Sequence, residues 1–141
     1  MAVTPQFLVD NSAYNRLKHE AVADRLKPLL DAALVATCGA LEIEALYSAR
    51  NGDDYERLQG IRASIFTYLE TDESDWQRAL TVQKALARDS QHKGLRVPDL
   101  LIAAVAERYD LTLLHYDSDF DRIAATTGQR AVWVVPRGSV T

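Results

Sequence analysis

The feature that most restricts the fold is the stretch Leu111-Thr112-Leu113-Leu114-His115-Tyr116-Asp117-Ser118-Asp119-Phe120. A short, nearly continuous apolar run predicts a buried parallel strand with helices on both faces, because a strand with one wet face alternates apolar and polar residues. This run ends in acid, at Asp117 and Asp119. In an open α/β sheet, residues just past the carboxyl ends of the strands line the crevice where ligands bind. The two carboxylates therefore stand where chemistry is placed.

A parallel strand needs neighbours, and the chain offers several. Gln6-Phe7-Leu8-Val9 is a strand candidate that also ends in acid, at Asp10, followed by Asn11 and Ser12. Taken alone, Asp10 is equally well explained as a helix N-cap. Leu34-Val35-Ala36-Thr37 and Ala131-Val132-Trp133-Val134-Val135 complete the strand set, with residues 66–69 a short extended connection. Helices are expected between them, over residues 13–19, 20–30 (shortened or kinked by Pro28) and 39–50, and after the Asn51-Gly52-Asp53-Asp54 turn signal. More follow over 74–88, from Val97, and over 119–127 up to a stop at Gly128. Their apolar stripes predict the faces turned to the core: Ile43, Leu46 and Tyr47; Tyr55, Leu58, Ile61 and Ile65; Trp76, Ala79, Leu80 and Leu86.

Strands separated by helices predict an α/β fold, a central parallel sheet of roughly four or five short strands flanked by helices on both faces. With 141 residues the chain suits one domain, residues 1–141. No apolar run reaches the roughly 18 residues of a membrane span, and the N-terminus has no signal-peptide pattern, so a cytoplasmic address and no membrane partner are expected. The single cysteine, Cys38, has no disulfide partner and reads as a small buried hydrophobe.

A third acid opens a helix. Val97-Pro98-Asp99 begins a segment whose continuation, Leu100 to Ala106, leaves no polar face, so Asp99 enters the sheet layer at the mouth of a buried helix. Asp10, Asp99 and Asp117 together suggest a carboxylate cluster, which repels itself unless a cation sits in it. Oxygen ligands without His or Cys select Mg²⁺ or Mn²⁺ over Zn²⁺. The net charge of −4 gives no global attraction to nucleic acid. Arg16, Lys18, Arg50, Lys93 and Arg96 flank the acidic segments and are candidates for phosphate contacts. Glu42 and Glu44 lie on opposite flanks of one helix, so one of them at most reaches a given site.

These segments resemble the PIN-domain ribonucleases, in particular the VapC-type toxins of VapBC toxin-antitoxin modules. The resemblance rests on Asp10 with Asn11-Ser12, Glu44-Ala45-Leu46-Tyr47-Ser48, Val97-Pro98-Asp99-Leu100-Leu101-Ile102-Ala103-Ala104 and Asp117-Ser118-Asp119-Phe120. It implies four active-site acids, Asp10, Glu44, Asp99 and Asp117, with Asp119 a possible fifth and Glu42 left on the surface. It implies that Asp10, Asp99 and Asp117 hold Mg²⁺ or Mn²⁺ for RNA phosphodiester hydrolysis. It also implies a homodimer silenced by a cognate VapB-type antitoxin that lies in a groove and places a basic residue in the acidic site. The chain departs from the family at Asn11, where Thr or Ser is usual and Ser12 is the nearest hydroxyl, and at His115, again in place of Thr or Ser. A packed strand-end histidine is the expectation for His115. The rival readings are a receiver-like phospho-switch, a metal-dependent phosphohydrolase or DNA nuclease, and an inactive interaction module of the same fold.

Overall fold

The structure, a computed structural model, describes residues 3–141. Five strands form one sheet: β1 (Phe7–Val9), β2 (Val35–Cys38), β3 (Thr67–Leu69), β4 (Thr112–His115) and β5 (Ala131–Trp133). Their spatial order is β3-β2-β1-β4-β5, every neighbouring pair parallel. The chain leaves β1 toward one edge and later returns to β4 on the other side of it, so the β1/β4 boundary is the topological switch point, where a crevice opens beyond the carboxyl ends.

Alternation along each strand sends side chains to two cores. Leu8, Ala36, Cys38 and Leu113 pack on one face with α3 (Gly39–Leu46), α5 (Glu73–Ala87), α6 (Val97–Arg108) and α7 (Asp119–Thr127). Val9, Val35 and Leu114 pack on the other with α1 (Asn11–Tyr14), α2 (Glu20–Asp31) and Phe66 at the end of α4 (Gly52–Ile65). Helix α6 is buried from Asp99 through Ala106, as its all-apolar start requires. Gly128 ends α7 at φ 74, the left-handed conformation that glycine adopts without strain. Among the described residues no helix is long and apolar enough to cross a membrane.

Several local expectations are corrected. The first helix starts at Asn11 and ends at Tyr14, because Asp10 already caps it by accepting the Ser12 N–H. Helix α2 runs through Pro28 to Asp31, since an exposed proline in the last turn costs one hydrogen bond and meets no packing. Helix α3 stops at Leu46 rather than near Arg50. Residues 67–69 form an edge strand instead of a connection.

The expected core stripes hold only in part on three helices: Leu46, Ala79 and Leu86 are buried, and other members are not. Ile43 is 74% exposed and Tyr47 91%, and Trp76, Leu80, Tyr55 and Ile61 are also exposed. Helix α3 packs through Leu41 and Leu46, and α5 through Ala79, Val82 and Leu86. Glu42, expected on the surface, is partly buried: its carboxylate takes three hydrogen bonds of 2.8–3.0 Å from Arg62 and accepts the Thr37 hydroxyl. That pair ties α3 to α4, a tertiary contact to which helical periodicity is blind.

Candidate active site

Asp10 lies one residue beyond β1 and is 2% exposed. One carboxylate oxygen accepts the Ser12 N–H at 2.9 Å, while Oδ1 has no hydrogen-bond partner. Burial drives its pKa above the ordinary carboxylate value, against the Ser12 hydrogen bonds, and the charges of Glu44 and Asp117 add to the rise. Ser12 also accepts the Tyr116 N–H on its hydroxyl at 2.9 Å, which joins the end of β1 to the end of β4.

Asp99 arrives from the first turn of α6 with no exposed surface. Carboxylate oxygens of Asp99, Asp117 and Asp119 lie within 4.8 Å of one another. Burial pushes the Asp99 carboxyl up to about 6; Arg96 opposes this, while Asp10 and Asp117 reinforce it. Asp117 is oriented by its own backbone, whose N–H donates to His115 Nδ1 at 3.2 Å, and its Oδ1 accepts the Asp119 N–H at 2.9 Å. Asp119 meets Arg122 Nη2 at 2.9 Å, and Arg122 is anchored through Nη1 on the carbonyls of Gln91 and Lys93.

Glu44 points to this edge and Glu42 away from it, as two residues at about 100° each require. Asn11 Nδ2 donates to Glu44 Oε1 at 3.2 Å and to the Leu41 carbonyl at 3.0 Å. Arg96 closes the other side, with Nη1 at 3.4 Å from Glu44 and a two-point fork on Asp99 at 3.1 and 3.3 Å. The fold thus brings Asp10, Glu44, Asp99, Asp117 and Asp119 to one edge, with Ser12 at its base. Of the candidate phosphate contacts Arg96 enters the site, whereas Arg16 is tied to the Ser12 and Thr141 carbonyls and Arg50 to Asp54.

Asn11 and Arg96 as side-chain partners of the acids are features that sequence reasoning missed. Arg96 carries a weak signal, standing three residues before Asp99 at a helix start. Asn11 carries none, because Glu44 is 33 residues away. His115 is fully buried, its ring packed on Phe120 and Trp133, and burial lowers its pKa, which keeps it neutral. Its Nδ1 accepts a hydrogen bond, so the ring serves the backbone of Asp117.

Chemically, the site is a set of hard oxygen donors with one buried carboxylate oxygen unpartnered. A divalent cation fits it: the donors are those of a hard cation such as Mg²⁺ or Mn²⁺, and positive charge offsets the burial and, to a smaller extent, the mutual repulsion that raise the pKa values of Asp10 and Asp99. Beside Glu44 runs an apolar groove of about 760 Å³, lined by Ile43, Tyr47, Tyr68, Trp76, Val97 and Leu101.

Fold and site define an α/β domain whose concentrated chemistry is a carboxylate cluster at the switch point of a parallel sheet. The family model of the PIN domain matches residues 8–126, and the chain belongs to the PIN-domain family, in its VapC branch. It is 41% identical to ribonuclease VapC21 of Mycobacterium tuberculosis over 137 residues, 97% of this chain and 99% of that protein. It is 44% identical to ribonuclease VapC51 of the same organism over 135 residues, 96% of this chain and 97% of that one. Among solved structures it superposes on DNA-bound VapBC from Salmonella typhimurium with a TM-score of 0.73 at 20% identity, covering 93% of this chain and 99% of that one.

Proposed function

We propose that the protein is a Mg²⁺- or Mn²⁺-dependent endoribonuclease toxin of the VapC type, acting at the Asp10, Glu44, Asp99, Asp117 site. The observation that carries this reading is the approach of Asp99, Asp117 and Asp119 oxygens within 4.8 Å beside the unpartnered Oδ1 of Asp10. The names of the relatives, ribonucleases VapC21 and VapC51, support RNA as the substrate. The phospho-switch falls behind, since it needs paired acids after the first strand and a Lys after the last, whereas β1 is followed by Asp10-Asn11 and β5 by Val134-Val135-Pro136-Arg137.

In this reading Asp10, Asp99 and Asp117 would hold the ion, which when bound would supply positive charge to the scissile phosphodiester and acidity to the attacking water. Glu44, held by Asn11, would orient the attacking water or take its proton. Asp119 and Ser12 support the cluster through the backbone contacts of β4 and β1. Burial of Asp99 and Asp10 keeps bulk water from screening the charges that the ion and phosphate must meet.

Regulation follows from the groove. Its exposed Ile43, Tyr47 and Trp76, with Glu44 and Glu70 among its walls, suit an amphipathic segment carrying basic residues, the chemistry expected of a VapB-type antitoxin. The VapBC complexes among the structural neighbours support such a partner. A homodimer in the cytoplasm completes the proposal.

The test compares wild type with Asp99→Asn, both freed of antitoxin, on total cellular RNA with Mg²⁺, Mn²⁺ or EDTA. Discrete cuts that need metal and vanish in the variant are expected. Cleavage that survives either EDTA or the substitution would remove the proposed site.

A further inference from the structure

Two arginines sit against the acid cluster, and they are held differently. Arg122 pairs with Asp119 but is also fixed by the Gln91 and Lys93 carbonyls, so its guanidinium belongs to the loop. Arg96 has no such anchor. All three of its guanidinium nitrogens point at carboxylates of the site, Nε and Nη2 at Asp99 and Nη1 at Glu44, and its side chain is 55% exposed. It stands at the N-cap position of α6 without making a side-chain cap, so the helix does not need it there.

We infer that Arg96 is a resident counter-cation that closes the acid site and must be displaced for a divalent ion to enter. The inference rests on the metal-site reading given above. Asp99 is fully buried, and its two oxygens are the atoms the Arg96 fork occupies. A guanidinium and a divalent ion compete for them: the fork engages both oxygens and leaves each a single further lone pair, and two cations sharing one carboxylate repel. The half-exposed side chain can swing into solvent without disturbing packing, and the acids it leaves are the ones the ion then neutralises. Arg96 thus sets a threshold in cation concentration below which the chain is closed on itself.

A merely structural Arg96, one that only orients Asp99, predicts the opposite sign, since its loss would loosen a ligand. The experiment is Mn²⁺ binding to the full-length chain, freed of antitoxin, measured by the free-ion electron paramagnetic resonance signal for wild type, Arg96→Gln, Arg96→Lys and Asp99→Asn. Arg96→Gln should bind Mn²⁺ roughly tenfold more tightly, equivalent to about 1.4 kcal/mol. Arg96→Lys, with charge but no fork, should fall between it and wild type. Circular dichroism confirms that each variant is folded. Unchanged or weaker binding by folded Arg96→Gln, with wild type still binding, overturns the inference and leaves the metal site standing. Loss of binding in Asp99→Asn alone confirms the site is the one measured, and absence of binding in both wild type and Arg96→Gln would overturn the metal reading and this inference together. Binding by Arg96→Gln where wild type shows none supports complete closure.

Discussion

Replacing Asp99 with Asn should make the metal-free protein more stable while disabling it. Asp99 is fully buried, and its carboxyl is raised from 3.8 to about 6, chiefly by burial. For an acid, a folded-state pKa above the unfolded one means that the fold opposes ionisation. The penalty is absent below 3.8, grows as pH rises through that window, and is complete above 6. At neutral pH it amounts to about 3 kcal/mol, at 1.36 kcal/mol per pH unit of displacement. Asparagine removes the charge at constant size, but it faces Arg96 with less acceptor capacity and gives back part of the gain. A net stabilisation of about 2 kcal/mol remains, or a rise of roughly 6 °C in Tm for a chain this long.

Thermal melts of both proteins in EDTA, from about pH 7.5 to about pH 4.5, check this. The gap should be full at the upper end and shrink steadily below pH 6. The comparison cancels the contribution of His115, whose lowered pKa makes stability fall as pH drops through its titration, because it is common to both proteins. Adding Mg²⁺ should reverse the order, since a ligand that binds only wild type stabilises it by about 2.7 kcal/mol at a hundred times its Kd. A variant that melts below wild type at neutral pH without metal, or a gap that does not change with pH, would refute the claim that this carboxylate is held ionised against the fold.

Other perturbations follow from single contacts. Glu42→Ala strands the nearly buried Arg62 guanidinium and should cost about 3 kcal/mol in urea melts, whereas replacing the pair together with apolar residues should recover most of it; a loss under about 1 kcal/mol would mean the pair is loosely held. Asn11→Ala should lose about 1.5 kcal/mol and lower the cleavage rate, because the Leu41 carbonyl and Glu44 lose their donor; Asn11→Asp, which sets a second carboxylate against Glu44, should be worse on both counts. His115→Phe keeps an aromatic in the pocket but leaves the Asp117 N–H without an acceptor, and a loss of about 2 kcal/mol with weaker Mn²⁺ binding is expected. His115→Asn, which restores an acceptor, should be milder.

What could be read along the chain is what depends on neighbours in sequence. Apolar runs marked β1, β2, β4 and β5, and their order with the intervening helices implied a parallel sheet; the all-apolar start of α6 implied its burial. Asp10 shows why one residue can satisfy two readings: its one oxygen caps α1, as the bland reading holds, and its other stays unpartnered in the cluster. Contacts between distant residues were not legible. Glu42 reads as a surface glutamate because Arg62 is 20 residues away, and Asn11 shows only as a departure from the usual Thr or Ser because its amide is used on α3. The edge strand β3 is exposed or half-buried throughout, so it lacks the apolar run by which its neighbours were found.

The misreading of α3 has a different origin. Ile43, Leu46 and Tyr47 obey the spacing of a buried stripe, yet of these only Leu46 joins Leu41 in the core, and Ile43 and Tyr47 face the groove beside Glu44. Periodicity reports that a face is apolar, and it cannot tell the chain's own core from a surface reserved for a partner. The two cases separate by stability. Tyr47→Ser and Ile43→Ser should each change the unfolding free energy of the isolated chain by no more than about 0.5 kcal/mol, as exposed positions do, while Leu41→Ala, fully buried, should cost about 3 kcal/mol. In the proposed antitoxin complex the same surface substitutions should speed dissociation, because an exposed aromatic becomes an anchor only when the partner desolvates it. If Tyr47→Ser destabilises the isolated chain as much as Leu41→Ala does, the stripe belongs to the core and the groove is not open. If the chain tolerates it and the complex does too, the groove is open but the antitoxin docks elsewhere.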